Sequence, residues 1–255
     1  MQAGVHDGRY LLSEYVADYL CEGRPLNLFV KLKAAGALHV GGIKNSYKAG
    51  AEWTLSKNYG RGQVYDLERP LSASWTTRPR AYSDIPALQV LSAYAEDNVT
   101  AQVAGCRMEL QAGVRTISLP GLDSRYDISG RVFLDPRVNA VVHLPAIGGA
   151  DGLRLLVGGG YGTTTKMPTT DYLYPQCHYD DIIQLNYYDT NRPAELSRVN
   201  LRTYINDATN YGLRPARNHK WEVRFGADYA GNSLSVTYFR ENMTDGFRYS
   251  TVYGA

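Results

Sequence analysis

Between His219 and Tyr229 the chain reads His-Lys-Trp-Glu-Val-Arg-Phe-Gly-Ala-Asp-Tyr, and this strict alternation restricts the available folds more than any other feature. In an extended chain successive side chains point to opposite sides. His219, Trp221, Val223, Phe225, Ala227 and Tyr229 therefore share one face, while Lys220, Glu222, Arg224, Gly226 and Asp228 share the other. A run of about ten residues with rings at both ends of an apolar face, and charge opposite, suits a tilted strand crossing a bilayer.

The pattern recurs. Tyr47, Ala49, Ala51, Trp53 and Leu55 alternate with Lys48, Gly50, Glu52, Thr54 and Ser56. Met108, Leu110, Ala112 and Val114 alternate with Arg107, Glu109, Gln111 and Arg115. Leu28, Val30, Leu32 and Ala34 alternate with Phe29, Lys31 and Lys33. Val138, Ala140, Val142 and Leu144 oppose Arg137, Asn139 and His143, with Val141 as the exception. Leu153, Leu155, Val157 and Tyr161 oppose Arg154 and three glycines, with Leu156 as the exception, and Leu234, Val236 and Tyr238 oppose Ser233, Ser235 and Thr237. Ala87 to Val99 reads as a strand with mixed faces. The total is about eight strands.

The connections carry as much information. Short links fall at His39 to Lys44, Thr100 to Gly105, Ala146 to Gly152 and Ala230-Gly231-Asn232. Long ones fall at Asn58 to Pro86, Ser118 to Asp135 and Thr163 to Arg217. Soluble domains rarely hold connections beyond about 15 residues without structure of their own. Transmembrane barrels combine short turns at one end with long loops at the other. The expected fold is all-β: an antiparallel, up-and-down transmembrane β-barrel segment with long extracellular loops. Residues 1–25 would be a loop with a short helix, since Leu11, Leu12, Tyr15, Val16, Tyr19 and Leu20 recur at helical spacing. Residues 26–255 would be the hairpins and their loops. A soluble β-sandwich also alternates, and the rival reading is a secreted carbohydrate-binding module with Tyr-rich loops. A complete, small eight-stranded barrel is a third possibility.

Composition removes other classes. With 27 basic and 25 acidic residues the chain is almost neutral and has no electrostatic footprint for nucleic acid. Tyrosine is abundant, at 21 residues, and its half-apolar ring suits membrane interfaces and ligand-contacting loops. No stretch reaches the roughly 20 apolar residues of a membrane helix. Cys21, Cys106 and Cys177 are scattered without metal spacing. Cys177-His178 with Asp180 and Asp181 reads as a polar loop rather than a metal cluster. Asp180, Asp181 and Asp189 do not by themselves make a glycosidase pair, and no nucleophile elbow is present. The expectation is no enzyme, no cofactor and no metal.

Four stretches resemble TonB-dependent outer-membrane receptors. In Gly212-Leu213-Arg214-Pro215-Ala216-Arg217-Asn218-His219-Lys220-Trp221-Glu222, the residues Leu213, Pro215 and Glu222 match a loop-to-strand element of that family. Ala216 stands where Glu is usual, and Tyr211-Gly212 where Asn-Pro is usual. Gly160-Tyr161-Gly162 through Pro168-Thr169 and Leu173-Tyr174-Pro175 is similar to the family's Tyr-Gly, Arg-Ala-Pro-Thr, Leu-Tyr run, with Lys166-Met167 at the Arg-Ala positions. Asp135-Pro136-Arg137 is similar to a Ser-Pro-Arg strand opening. Ile85-Pro86-Ala87-Leu88 through Tyr94-Ala95-Glu96-Asp97 is similar to Bacteroidota members.

The resemblance implies a bacterial outer-membrane location and a barrel of about 22 strands around an N-terminal plug. It also implies TonB-driven uptake of a scarce ligand such as an iron chelate, cobalamin or a glycan, with a surface lipoprotein as a further partner. Barrel strands on that scale need roughly 220 residues before any loops. No region resembles the plug or a TonB-contacting segment, Met1 leads into no export-type run, and Ser250 to Ala255 read as an outer loop. The expectation is a piece of a longer chain. Lys48, Glu52, Arg107, Glu109, Arg115, Arg154, Lys220, Glu222, Arg224 and Asp228 would face the lumen, touching plug or water. Trp53, Trp221, Tyr47 and Tyr229 would lie near the membrane interfaces, against outer-membrane lipid. Tyr172, Tyr174, Tyr187 and Tyr188 are the loop candidates for ligand contact.

Overall fold

A computed structural model describes residues 2–9, 15–72, 75–149, 152–187, 189, 191 and 198–250. Its strands in chain order are β1 (Gln2–Arg9), β2 (Tyr19–Glu22), β3 (Pro25–Val40), β4 (Ile43–Asn58), β5 (Gly62–Tyr65), β6 (Leu88–Val103) and β7 (Cys106–Ser118). There follow β8 (Val132–His143), β9 (Arg154–Lys166), a one-turn helix α1 (Thr170–Leu173), β10 (His178–Tyr187), β11 (Arg198–Asn206), β12 (Ala216–Tyr229) and β13 (Asn232–Thr244). Eight of these strands form one sheet in the order β13-β12-β9-β8-β7-β6-β4-β3. Each lies beside the next of the eight along the chain, so the sheet is an up-and-down meander. It is an antiparallel β-barrel segment, as the alternation predicts.

The eight strands are those expected from sequence, but longer. β3, β4 and β6 have 16 residues each, more than the roughly 9–11 that a bilayer crossing requires. Two tight turns are set by backbone chirality. Ala104 (φ 52°) with Gly105 (φ 80°), and Ala230 (φ 48°) with Gly231 (φ 77°), place two consecutive residues at positive φ. That is the signature of the type I′ hairpin turn, whose twist matches the flanking strands. The β6–β7 link is thus two residues, with Thr100 to Val103 belonging to β6 rather than to the turn.

By its contacts the chain divides into two units, one of residues 28–54, 89–168 and 212–255, the other of residues 1–27, 55–88 and 169–211. In the first, the buried apolar side chains Ile117, Leu119, Tyr126, Ile128, Met167 and Ala216 sit at strand ends and in connections. The strand bodies contribute none of these. Val223 is 50% exposed, Val236 56% and Leu234 59%. No second sheet covers this apolar face among the described residues, so a β-sandwich has no support.

Asp135-Pro136 marks where β8 and β9 part. Their paired register ends at Arg137↔Gly162. Pro136 has no N–H to donate. The buried Asp135 carboxylate instead accepts from the Thr165 backbone N–H (2.9 Å) and from Thr165 Oγ1 (2.6 Å), replacing the missing ladder bonds with side-chain ones.

In the second unit β2 pairs with β5, and β1, β11 and β10 form a three-stranded sheet. The helical reading is corrected at residues 15–20. Tyr19 and Leu20 lie in β2, paired with Tyr65 and Val64, and residues 15–18 take no regular structure. Residues 10–14 lie outside the described part. The long connections are likewise structured: β5 lies in one, and α1, β10 and β11 in another. Tyr65 is buried, edge-on to Trp75 (ring centroids 6.3 Å apart) and tilted on Tyr19 (6.4 Å). Leu173 is 0% exposed.

Candidate functional site: the polar face of the sheet

In antiparallel pairs, directly opposed residues point to the same side, so the register assigns every side chain to a face. One row of partners across the sheet is Lys220, Gly162, Arg137, Gly113 and Glu96. The next is Glu222, Gly160, Asn139, Gln111 and Asn98, and below it Arg224, Gly158, Val141, Glu109 and Thr100. Arg154 pairs with Asp228 near the tight turn, Arg107 with His143, and Arg115 with Asp135.

Contacts on this face are polar. Lys220 Nζ lies 3.1 Å from Glu222 Oε2, Arg107 2.7 Å from Glu109, and His143 3.9 Å from Glu109. Lys48 lies 4.0 Å from Glu96, and Lys31 donates to Glu52 at 2.9 Å. Asn139 Nδ2 donates to Gln111 Oε1 (3.2 Å), and Ser233 Oγ donates to Asp228 (2.5 Å). All ten charged residues named from sequence, Lys48, Glu52, Arg107, Glu109, Arg115, Arg154, Lys220, Glu222, Arg224 and Asp228, therefore lie on one face. Such half-exposed ion pairs each contribute little, about 0–1 kcal/mol, so this is a wetted surface rather than a core.

Glycines shape it. A side chain at Gly160 would collide with the Asn139 amide, and a Cβ at Gly50 would come within 2.7 Å of the Tyr94 ring. Two shallow clefts lie on this face, with Gly113 lining the first and Gly160 and Gly162 the second. One is bordered by Tyr94, Glu96, Gln111, Arg115, Asp135 and Arg137, the other by Arg137, Asn139, Tyr161, Asn218, Lys220 and Glu222. Glu96, Gln111, Arg137 and Asn139 belong to this surface as much as the ten do. The alternation already places Gln111, Arg137 and Asn139 on the polar side of their strands, whereas Glu96 lies in the strand whose faces read as mixed.

The opposite face carries Trp221, Tyr161, Val138 and Ala112 in one row, then Val223, Gly159, Ala140, Leu110 and Val99, then Phe225, Val157, Val142, Met108 and Ala101. Trp221 packs on Tyr238 with ring centroids 5.4 Å apart, and Tyr229 stands 62% exposed beside its tight turn. The Tyr47 ring covers Gly36 on this side. Trp53 donates from Nε1 to Gln89 Oε1 (3.1 Å). Asp97 is the exception, a carboxylate among apolar neighbours that accepts from Asn45 Nδ2 at 3.1 Å. Together with Tyr94, which lies on the polar side opposite Arg115, it is why the faces of β6 read as mixed.

The loop candidates are spread out. Tyr172 lies in α1, and Tyr174 just after it accepts Arg80 NH1 at its carbonyl (3.0 Å). Tyr187 closes β10 opposite Arg198, and Tyr188 is outside the described residues. A cleft in the same unit is bordered by Asn27, Lys57, Asn58, Tyr82, Thr170 and Asp171. Lys57 is engaged there by the carbonyls of Ser83 (2.7 Å) and Ile85 (2.5 Å).

The residues around Cys177 do not converge. His178 lies 3.0 Å from Asp180, which also accepts from Asn206, while Asp181 takes Arg78 and the Thr203 hydroxyl. Burial, reinforced by the Asp207 carboxylate, raises the Cys177 thiol above its ordinary pKa and keeps it protonated. Asp207 itself is held below the usual carboxylate range by the Thr209 hydroxyl and N–H.

A single meander with exposed apolar side chains on one side and ion pairs on the other defines a β-barrel wall. The sequence matches the family described as TonB dependent receptor-like, beta-barrel over residues 8–254, and the chain belongs to that family. Members are transporters of the Gram-negative outer membrane rather than enzymes. Neither a curated protein nor a solved structure matches the chain.

Proposed function

We propose that this chain supplies wall strands and extracellular loops to a TonB-dependent transporter in a bacterial outer membrane. The apolar face meets lipid, and the face bearing Lys48, Glu52, Arg107, Glu109, Arg115, Arg154, Lys220, Glu222, Arg224 and Asp228 looks into the lumen, toward water or a plug. The plug couples the barrel to TonB. The cargo is a scarce ligand of the iron-chelate, cobalamin or glycan kind, met first by loop residues such as Tyr172, Tyr174 and Tyr187, with a surface lipoprotein as a further partner. One observation carries this reading: the strand bodies leave Val223, Phe225, Val236 and Leu234 uncovered while the opposite face of the same hairpin carries polar links such as Lys220–Glu222 and Ser233–Asp228. In water that face would drive aggregation. In lipid it is the stable surface.

The test uses bilayers of brominated phosphatidylcholine. Trp221 fluorescence should be strongly quenched, and the quenchable part should fall in Trp221→Phe. A cysteine at Arg224, with Cys21, Cys106 and Cys177 replaced by alanine, should react with a membrane-impermeant maleimide. An unquenched Trp221 beside an unreactive position 224 would reverse the assignment of the faces.

A further inference from the structure

The apolar face of the β12–β13 hairpin ends in two arginines and a histidine. Its rows from the tight turn upward are Tyr229–Asn232, Ala227–Leu234, Phe225–Val236, Val223–Tyr238, Trp221–Arg240, His219–Asn242 and Arg217–Thr244. From Tyr229 to Trp221 is roughly 27 Å along the strand, and about 20 Å of height at the usual barrel tilt, close to the thickness of a lipid-facing band. Arg240 stands level with the upper ring, Trp221. His219 and Arg217 stand about 5 and 10 Å higher, where headgroups rather than acyl chains surround a barrel.

Among the described residues these side chains have no anionic partner. No carboxylate occupies this face of the hairpin: Glu222 and Glu241 point to the other side, with Glu222 beside Lys220 and Glu241 accepting from Asn218. Among the described residues, Arg240 and Arg217 form no ion pair. Arg217 donates one terminal nitrogen to the Leu134 carbonyl (3.1 Å), and its Nε is buried without a partner. His219 is held in place by the Tyr161 hydroxyl (3.1 Å) and the Thr163 hydroxyl (3.3 Å) at Nδ1, with the two rings stacked 6.5 Å apart. At corresponding rows β8 and β7 carry Val138, Pro136, Ala112 and Val114, and β6 carries Asp97. The positive charge is thus local to one hairpin rather than a ring around the wall.

The geometry points to a docking site for a phosphate-bearing lipid headgroup on the outside of β12–β13, at the loop end of the strands. Arg217 and Arg240 bind the phosphate, with His219 and Asn242 between them, and Trp221 and Tyr238 pack against the first acyl carbons. The guanidinium forks provide geometry for phosphate oxygens that a lysine would not. Charge complementarity selects the occupant, because an anionic headgroup pairs with the two guanidinium groups at the upper end of a face whose lower rows lie in hydrocarbon. This site rests on the membrane reading proposed above.

The test is native mass spectrometry of the protein, held in its complete chain, released from nanodiscs of phosphatidylcholine with or without phosphatidic acid. The wild type should retain phosphatidic acid selectively. The double variant Arg217→Gln with Arg240→Gln should lose that selectivity by up to about 30-fold. Arg224→Gln, on the opposite face, should keep it. Equal retention by wild type and double variant overturns the lipid site and leaves the barrel reading standing. Failure of the wild type to enter neutral nanodiscs overturns both.

Discussion

The strand bodies of the eight-stranded sheet and the segments that connect them solve the burial problem in opposite ways. Leu119, Tyr126 and Ile128 in one connection, and Leu173 in another, are enclosed by protein. The strand bodies enclose almost nothing and leave their apolar residues open to the surroundings. The difference shows where the stabilising energy resides. Connections carry their own small cores, whereas the wall depends on what it is immersed in.

The sharpest way to break this contrast is a change in each region, measured in bilayer and in detergent. Leu173→Ala deletes a fully buried side chain and should cost about 2–5 kcal/mol through lost transfer energy and a residual cavity. Denaturant titration should find that loss in either medium. Val223→Arg should cost about 2–4 kcal/mol in bilayers, where a charge meets lipid near mid-depth, and much less in detergent, while its neighbour Arg224→Gln should be nearly silent. Equal penalties at 223 and 224, or a Val223→Arg penalty that ignores the medium, would dissolve the distinction. Asp135→Ala strips the Thr165 N–H and hydroxyl of their acceptor and should cost about 1–3 kcal/mol. Backbone exchange should rise at Thr165 and stay unchanged where β9 pairs with β8, from Leu156 to Gly162.

Acid gives the smallest effect. The folded Asp207 carboxyl has a lowered pKa, so its contribution is complete above the unfolded carboxylate range and disappears as pH falls through the lower folded value. Amide exchange at Thr209 should accelerate over that interval. The type I′ turn at Ala104-Gly105, flanked by Gln102, Val103, Cys106 and Arg107 with no carboxylate among them, should not respond. An acid response at the turn would mean that the two regions are not independent.

The eight wall strands could be read from the chain because a period of two is a local property of extended backbone. The ten charged residues followed from the same period. Extents were less legible: Leu144 lies beyond the end of β8, and Thr100 to Val103 belong to β6, since apolar content does not tell where a ladder stops. The loop strands were not legible. β10 opens with His178, Asp180 and Asp181, and β1 finds its partner in β11 almost at the other end of the chain. Tyr19 and Leu20 keep helical spacing with Tyr15 and Val16, yet Tyr65 and Val64 draw them into a strand. Backbone pairing outweighed a weak periodicity.

What the sequence determined alone is the two-sidedness of the wall, because alternation of side chains needs nothing beyond the geometry of each residue and its neighbours. What tertiary structure decided is adjacency: that Arg240 stands beside Trp221, that Gly160 makes room for Asn139, and that Asp135 completes the ladder of β9. These relations join residues many positions apart. They depend on strand register, which is set by hydrogen bonds across the whole sheet.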